Sequence, residues 1–180
     1  MNGTTTRILV ATILIFTKKN DKMYKKTFDV RWSDLDANRH MANSAYQNFM
    51  SHTRMAFLME NDFGHREMSQ FEMGPVIFNE QVFYFKEIMQ GSPITVTCEV
   101  SGMSEDGSLF AFRHNFYDIK GKNLARGLMT GAWMNLKERR ITALHPELFE
   151  KIKNFPKATD FVVLTKADTR SHGEFPVDLE

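Results

Sequence analysis

From Lys25 onward the hydrophobic positions recur with two different periods, and the changes of period divide the chain into elements. Lys25 to Trp32 alternates imperfectly, with Phe28 and Val30 on one face, which predicts a strand ending near Trp32. The polar stretch SDLDANRH interrupts it. Over 44–61 the positions Tyr46, Phe49, Met50, Thr53 and Phe57 fall at helical spacing. Ser44 and Gln47 have the S-x-x-Q form of a capping box, so the helix is expected to start near Asn43 or Ser44. Asn61 to Gly74 mixes Gly64 with polar residues and predicts a loop with short helical turns.

Strand patterns dominate the remainder. Val76 to Met89 is rich in Phe, Val, Ile and Tyr and ends at the turn QGSP. Ile94, Val96, Cys98 and Val100 then alternate with Thr95, Thr97, Glu99 and Ser101, the plainest period of two in the chain. SEDGS predicts a hairpin turn into Leu109 to Asp118, where Phe110, Phe112 and Phe116 share a face with His114. KGKN turns the chain into Leu124 to Lys137, whose Gly127 and Gly131 point to a close backbone approach, a bend or a bulge. Pro146 to Lys153 predicts a short helix with Pro at its start, and the residues from Pro156 read as a tail. One long helix before a run of antiparallel strands predicts an α+β domain in which a curved sheet wraps the helix.

Composition narrows the class. The 180 residues suit one domain, and 42% hydrophobic with 25% charged residues disfavours disorder, collagen and coiled coils. A net charge of +1 gives no general reason to expect nucleic acid or anionic membranes as partners. The lone cysteine, Cys98, can form neither an intrachain disulfide nor a cysteine-based zinc site, which fits a reducing, cytoplasmic location. Its place among alternating apolar neighbours predicts an inert buried thiol. The histidines lack metal-ligand spacing, and no phosphate loop or dinucleotide fingerprint is present, so no metal and no cofactor is expected. Ile8 to Phe16 is an apolar run too short for a membrane span, which takes about 20 residues. With Met23 just ahead of the patterned region, residues 1–22 read as an extension outside the fold, 23–155 as the domain and 156–180 as a C-terminal tail.

The densest polar cluster, Ser33 to Asn43, sits between the first strand and the helix. Two carboxylates and a His ahead of a helix N-terminus make a plausible reaction centre, because the helix start offers unpaired N–H groups to a developing oxyanion. A carboxylate beside it can attack a carbonyl or activate water. Asp and Asn before helices also serve as turn formers and caps, and the residues alone leave both readings open.

The stretch WSDLDANRHMANSAYQNFMSHTRMAFL resembles the signature of hot-dog fold thioesterases of the 4-hydroxybenzoyl-CoA thioesterase-like group: D-x-D, a His four residues on, Asn and Tyr as the helix begins, then Arg. Here these are Asp34, Asp36, His40, Asn43, Tyr46 and Arg54, and the resemblance covers roughly residues 24 to 140. It implies a hot-dog fold and an acyl-CoA thioesterase that needs no metal or redox cofactor. It implies that Asp36 is the catalytic carboxylate, as nucleophile or general base, and that the backbone N–H of Asn43 polarises the thioester carbonyl. His40 then positions water or substrate, or simply holds the turn. Asp34 orders the turn, Tyr46 packs under the site with a hydroxyl to offer, and Arg54 is an ion-pair partner. Arg39 stands where the family commonly has Gly, and Ala37 where it often has Pro; Arg39 narrows the pocket, meets an anionic group or faces solvent. Arg39 and Tyr46 are thus the candidate substrate-binding residues. The basic run Lys137 to Arg140 reads as a solvated edge or a contact for coenzyme A phosphates. The resemblance further implies an acyl-CoA or acyl carrier protein thioester as substrate, a role in lipid metabolism, and a homodimer or homotetramer with the site between subunits. A non-catalytic acyl-thioester binder and a hot-dog enoyl-thioester hydratase or dehydratase are the alternatives. Against the latter stands the spacing of four between Asp36 and His40.

Overall fold

The computed structural model describes residues 23–170 and 172–179, so the reading of 1–22 lies outside the described residues. The chain forms β1 (Tyr24–Phe28), a 3₁₀ turn (Trp32–Asp34), α1 (Asn43–Glu60), α2 (His65–Gln70), β2 (Met73–Tyr84), β3 (Ile94–Met103), β4 (Leu109–Tyr117), β5 (Asn123–Asn135), β6 (Arg140–Ile141), α3 (Pro146–Lys153), β7 (Lys157–Val163) and a 3₁₀ turn (Lys166–Arg170). Strands β1-β3-β4-β5-β2 run in that order across one sheet, antiparallel throughout; β6 adds to β5, and β7 lies parallel to β3. Helix α1 lies against the sheet's inner face, which is the hot-dog arrangement expected.

The alternation in β4 explains the packing. Phe110, Phe112, His114 and Phe116 are all buried, whereas Arg113 between them bonds Glu99 (2.6 Å) and Asp160 (2.9 Å). Against the inward row pack Phe57 and Tyr46 of α1, with Phe112 and Phe116 respectively, and Trp133 of β5 at 4.8 Å from Phe110. Burial pushes the Cys98 thiol well above its ordinary range, so it stays protonated. Gly127 and Gly131 mark close approaches: a Cβ at Gly127 would strike the Met50 sulfur, and one at Gly131 the Val76 carbonyl and the Phe110 ring. Because a backbone carbonyl cannot swing aside, Gly131→Ala is expected to cost about 2–3 kcal/mol, read as a lower denaturant midpoint at unchanged m-value.

Three differences from the sequence reading shape the architecture. The first strand ends at Phe28, because the Asp34 carboxylate accepts bonds from the Arg31 N–H (2.9 Å), Nε (3.0 Å) and Nη2 (2.8 Å) and curls the chain into a tight turn. The strand expected over 76–89 ends at Tyr84, where the Phe85 and Lys86 N–H groups both turn onto the Leu124 carbonyl. The region read as a tail from Pro156 instead carries β7, whose partner is the half of the β3 edge that β1 leaves uncovered.

Candidate active site

The Asp36–Met41 segment folds as a small closed loop. The Arg39 N–H donates to the Asp36 carbonyl (3.0 Å) and the Asp36 N–H to the His40 carbonyl (2.9 Å). The Asp36 carboxylate adds a second layer, with Oδ1 accepting from the N–H of Asn38 (2.8 Å) and of His40 (3.2 Å). One oxygen thus orders the loop. Two backbone bonds anchor it, from Ala42 to the Asp34 carbonyl (2.8 Å) and from Met41 to the Ile88 carbonyl (2.7 Å). Hydrogen bonding from Arg31 holds the buried Asp34 carboxyl below the usual carboxylate range, so Asp34 is spent on structure.

This loop explains both departures from the family pattern. Arg39 sits at φ 65°, in the left-handed region that Gly occupies without penalty, and Ala37 follows Asp36 at the turn position that favours Pro. Arg39→Gly is therefore expected to raise stability by roughly 0.5–1 kcal/mol, measured by chemical denaturation.

Helix α1 begins without a side-chain cap. Its N-cap is Ala42, which places Ser44 inside the first turn, so the expected Ser44–Gln47 capping box does not form. The Asn43 side chain instead accepts from the Ser44 N–H (2.9 Å). The Asn43 N–H itself meets no acceptor among the described residues, as expected of an uncapped first turn.

Asp36, His40, Asn43 and Tyr46 line one open groove of about 410 Å³, whose opposite wall is Tyr84, Phe85, Lys86 and Glu87. Arg39 is exposed and lies outside that lining. Tyr46 forms the buried floor, with its ring 4.9 Å from Tyr84 and 5.1 Å from Phe116. Burial, with Tyr84 and Asp36 nearby, pushes its hydroxyl up to about 12, so it is a proton donor at neutral pH. His40 Nε2 lies 2.9 Å from Glu87 Oε2. The wall residues Tyr84 to Glu87 escaped sequence reasoning, which placed them inside a longer strand. The signal was present in Lys86-Glu87, where two consecutive charges break the period of two.

Chemically, the groove presents an accessible carboxylate, a free helix-start N–H, a phenol and an imidazole braced by a second carboxylate. Among the described residues no cluster of three or more His, Cys, Asp or Glu side chains could hold a metal, and no helix is long and apolar enough to cross a membrane.

No curated protein matches the sequence. Solved structures do share the fold. The protein SAV2348 from Staphylococcus aureus, solved in complex with CoA, matches with TM-score 0.70 at 16% identity, over 87% of this chain and 96% of its own. YbaW, a probable thioesterase from Escherichia coli, matches with TM-score 0.65 at 23% identity, over 74% and 99%. Slr0204 from Synechocystis, a 1,4-dihydroxy-2-naphthoyl-CoA thioesterase, gives 0.65 at 13% identity, over 73% and 96%. At these identities the likeness speaks for the fold. The family is fixed by the sequence itself: the model of the thioesterase-like superfamily matches residues 30–152, so the chain belongs to that superfamily.

Proposed function

We propose that the protein hydrolyses an acyl thioester, R–CO–S–R′ + H₂O → R–COOH + R′–SH. The observation that carries this reading is the meeting, in one groove, of the Asp36 carboxylate with the unclaimed Asn43 N–H at the start of α1. The carbonyl oxygen gains negative charge as the tetrahedral intermediate forms, and a fixed N–H at the positive end of a helix dipole stabilises it there. Asp36 adds to the carbonyl carbon directly, or takes a proton from the water that does. The turn bonds to Oδ1 fix the carboxylate's direction and leave Oδ2 to react. His40, braced by Glu87, orients water or the leaving thiol, and the Tyr46 hydroxyl offers a further bond to substrate.

The carrier is coenzyme A or an acyl carrier protein. A relative by fold that binds CoA and another named for a CoA thioester support the first. The working unit is a homodimer or a tetramer built from it, in the cytoplasm. Among the described residues strand β2 pairs only with β5, which leaves its outer edge free, and it carries exposed Ile77, Phe78, Phe83 and Tyr84, an apolar rim that a second copy would cover. The solution mass is then at least twice 20.9 kDa.

Release of free thiol from short, long and aromatic acyl-CoAs and from acyl carrier protein thioesters tests the reading. Turnover of at least one substrate is expected. Saturable binding with no thiol released from any would replace the hydrolase with an acyl-thioester binder.

A further inference from the structure

Like charges normally keep apart, yet two lysines converge at the rim of the groove. Lys86 follows the end of β2, where its N–H is fixed on the Leu124 carbonyl (3.0 Å). Lys122 stands in the turn between β4 and β5, where its N–H donates to Asp118 Oδ1 (2.8 Å) and its carbonyl accepts from the Asp118 N–H (3.0 Å). Both stems leave anchored backbone, and the two side chains come within hydrogen-bonding reach of each other. The carboxylates nearby are already engaged: Asp118 Oδ1 also accepts from the Lys120 N–H (2.8 Å), and Glu87 faces His40 (2.9 Å). The contact with Lys122, and then its charge, hold the Lys86 ammonium below the usual lysine range despite Asp118. More of it therefore stands as free amine at neutral pH than of an ordinary surface lysine. A second cation beside a lysine is one of the ways in which an amine is made nucleophilic.

Position gives that amine a target. Lys86 lines the same groove as Asp36 and Asn43, on the opposite wall. A carbonyl bound at the Asn43 N–H is polarised towards every nucleophile in the groove, and water is only one of them. An amine held beside a bound acyl group reacts as an intramolecular partner, at an effective concentration that free lysine never reaches. No thiol competes for the acyl group, because the chain's lone cysteine, Cys98, is buried in β3 and stays protonated.

We infer that Lys86 is a self-acylation site, at which a thioester held in the groove transfers its acyl group to the lysine amine. The inference rests on the thioesterase reading, since it needs a thioester at the start of α1. Lys86 first gives one proton to solvent. The Nζ lone pair then adds to the carbonyl carbon, an N–C bond forms, the C–S bond breaks, and one amine proton passes to the departing thiolate: R–CO–S–R′ + Lys86–NH₂ → Lys86–NH–CO–R + R′–SH. The product carries a neutral amide where the groove wall had a cation, with the acyl chain tethered opposite Asp36. Hydrolysis and self-acylation thus branch from one bound thioester, and each turnover carries a small chance of marking the protein.

The full chain is incubated with acetyl-CoA and, separately, with decanoyl-CoA, while intact mass, peptide mapping and released thiol are followed over time. The expected result with at least one of them is a single added acyl group on Lys86, formed at least about tenfold faster than on the exposed Lys25 and Lys120 of the same molecules. Lys86→Arg, which keeps the charge but offers no acylable amine, should lose that adduct. Lys122→Gln removes the neighbouring cation and should slow acylation of Lys86 by about threefold or more. Asp36→Asn, in which hydrolysis is slow, should accumulate at least as much Lys86 adduct as the native chain. Adducts spread evenly over the surface lysines, or multiple turnovers of thiol with no adduct on Lys86, overturn the site and leave the hydrolase standing. An unchanged rate in Lys122→Gln overturns the activation by Lys122. A Lys86 adduct with no thiol beyond the one equivalent it accounts for keeps the site and removes the hydrolase, whereas neither adduct nor thiol from either compound overturns the site for CoA thioesters.

Discussion

Replacing Asp36 with Asn is expected to lower kcat/KM for thioester hydrolysis by at least about a hundredfold, equivalent to about 2.7 kcal/mol of lost transition-state stabilisation, while leaving the fold intact. The asymmetry follows from the two oxygens. Oδ1 accepts the N–H bonds of Asn38 and His40, and an amide oxygen in the same place can keep both. What Asn lacks is the charge to attack a carbonyl or accept a proton from water. Circular dichroism and melting temperature should therefore match the native protein while thiol release collapses; equal rates would remove Asp36 from the mechanism. Asn43→Ala is the informative contrast. It deletes the side-chain bond to the Ser44 N–H but keeps the backbone N–H assigned to the oxyanion, so a rate within a fewfold of native is expected.

The second large effect concerns acid stability. His114 is fully buried, neither ring nitrogen has a hydrogen-bond partner among the described residues, and burial, with the Arg54 charge nearby, pushes it down to about 3. In the unfolded chain it titrates near 6.5. Below that value the unfolded state binds a proton that the native state refuses, so stability present above pH 6.5 is lost as the pH falls towards 3. The slope approaches about 1.4 kcal/mol per pH unit, or some 2–3 kcal/mol between pH 6.5 and 4.5. This window lies above the ordinary carboxylate range, where the depressed Asp34, Asp106 and Asp160 add their own acid sensitivity. Urea titrations of the native protein and His114→Leu at several pH values isolate the effect as a difference. A difference that stays constant from pH 7 to 4.5 would show that His114 is protonated in the folded protein.

What could be read from sequence was local. The helix, the inward row of β4 and the Asp36–Asn43 cluster each lie within a short span, so period and spacing expose them. Glu87, brought against His40 by a bend after β2, and Glu80, set opposite Arg54 across the core, depend on pairings between distant segments that no periodicity records. The capping box failed for a simpler reason: α1 begins before Ser44, and a pattern match cannot tell an N-cap from a residue inside the first turn. Strand β7 was missed because of the residues Lys157–Val163 only Ala158 is fully buried, so its alternation is blurred.

That last strand also bears on how the molecule comes together in time. The outer edge of β3 is closed by two segments from opposite ends of the domain, β1 against Ile94–Cys98 and β7 from Val100 to Met103. The second closure joins residues more than fifty positions apart, in parallel, and such long-range pairing is slow to form. During synthesis the rest of the sheet can assemble while half of this edge still offers unpaired backbone groups, a template for strands of other chains. The seventh strand therefore acts as a late seal on the nascent chain, and the growing protein is most open to misassociation just before residues 157–163 leave the ribosome.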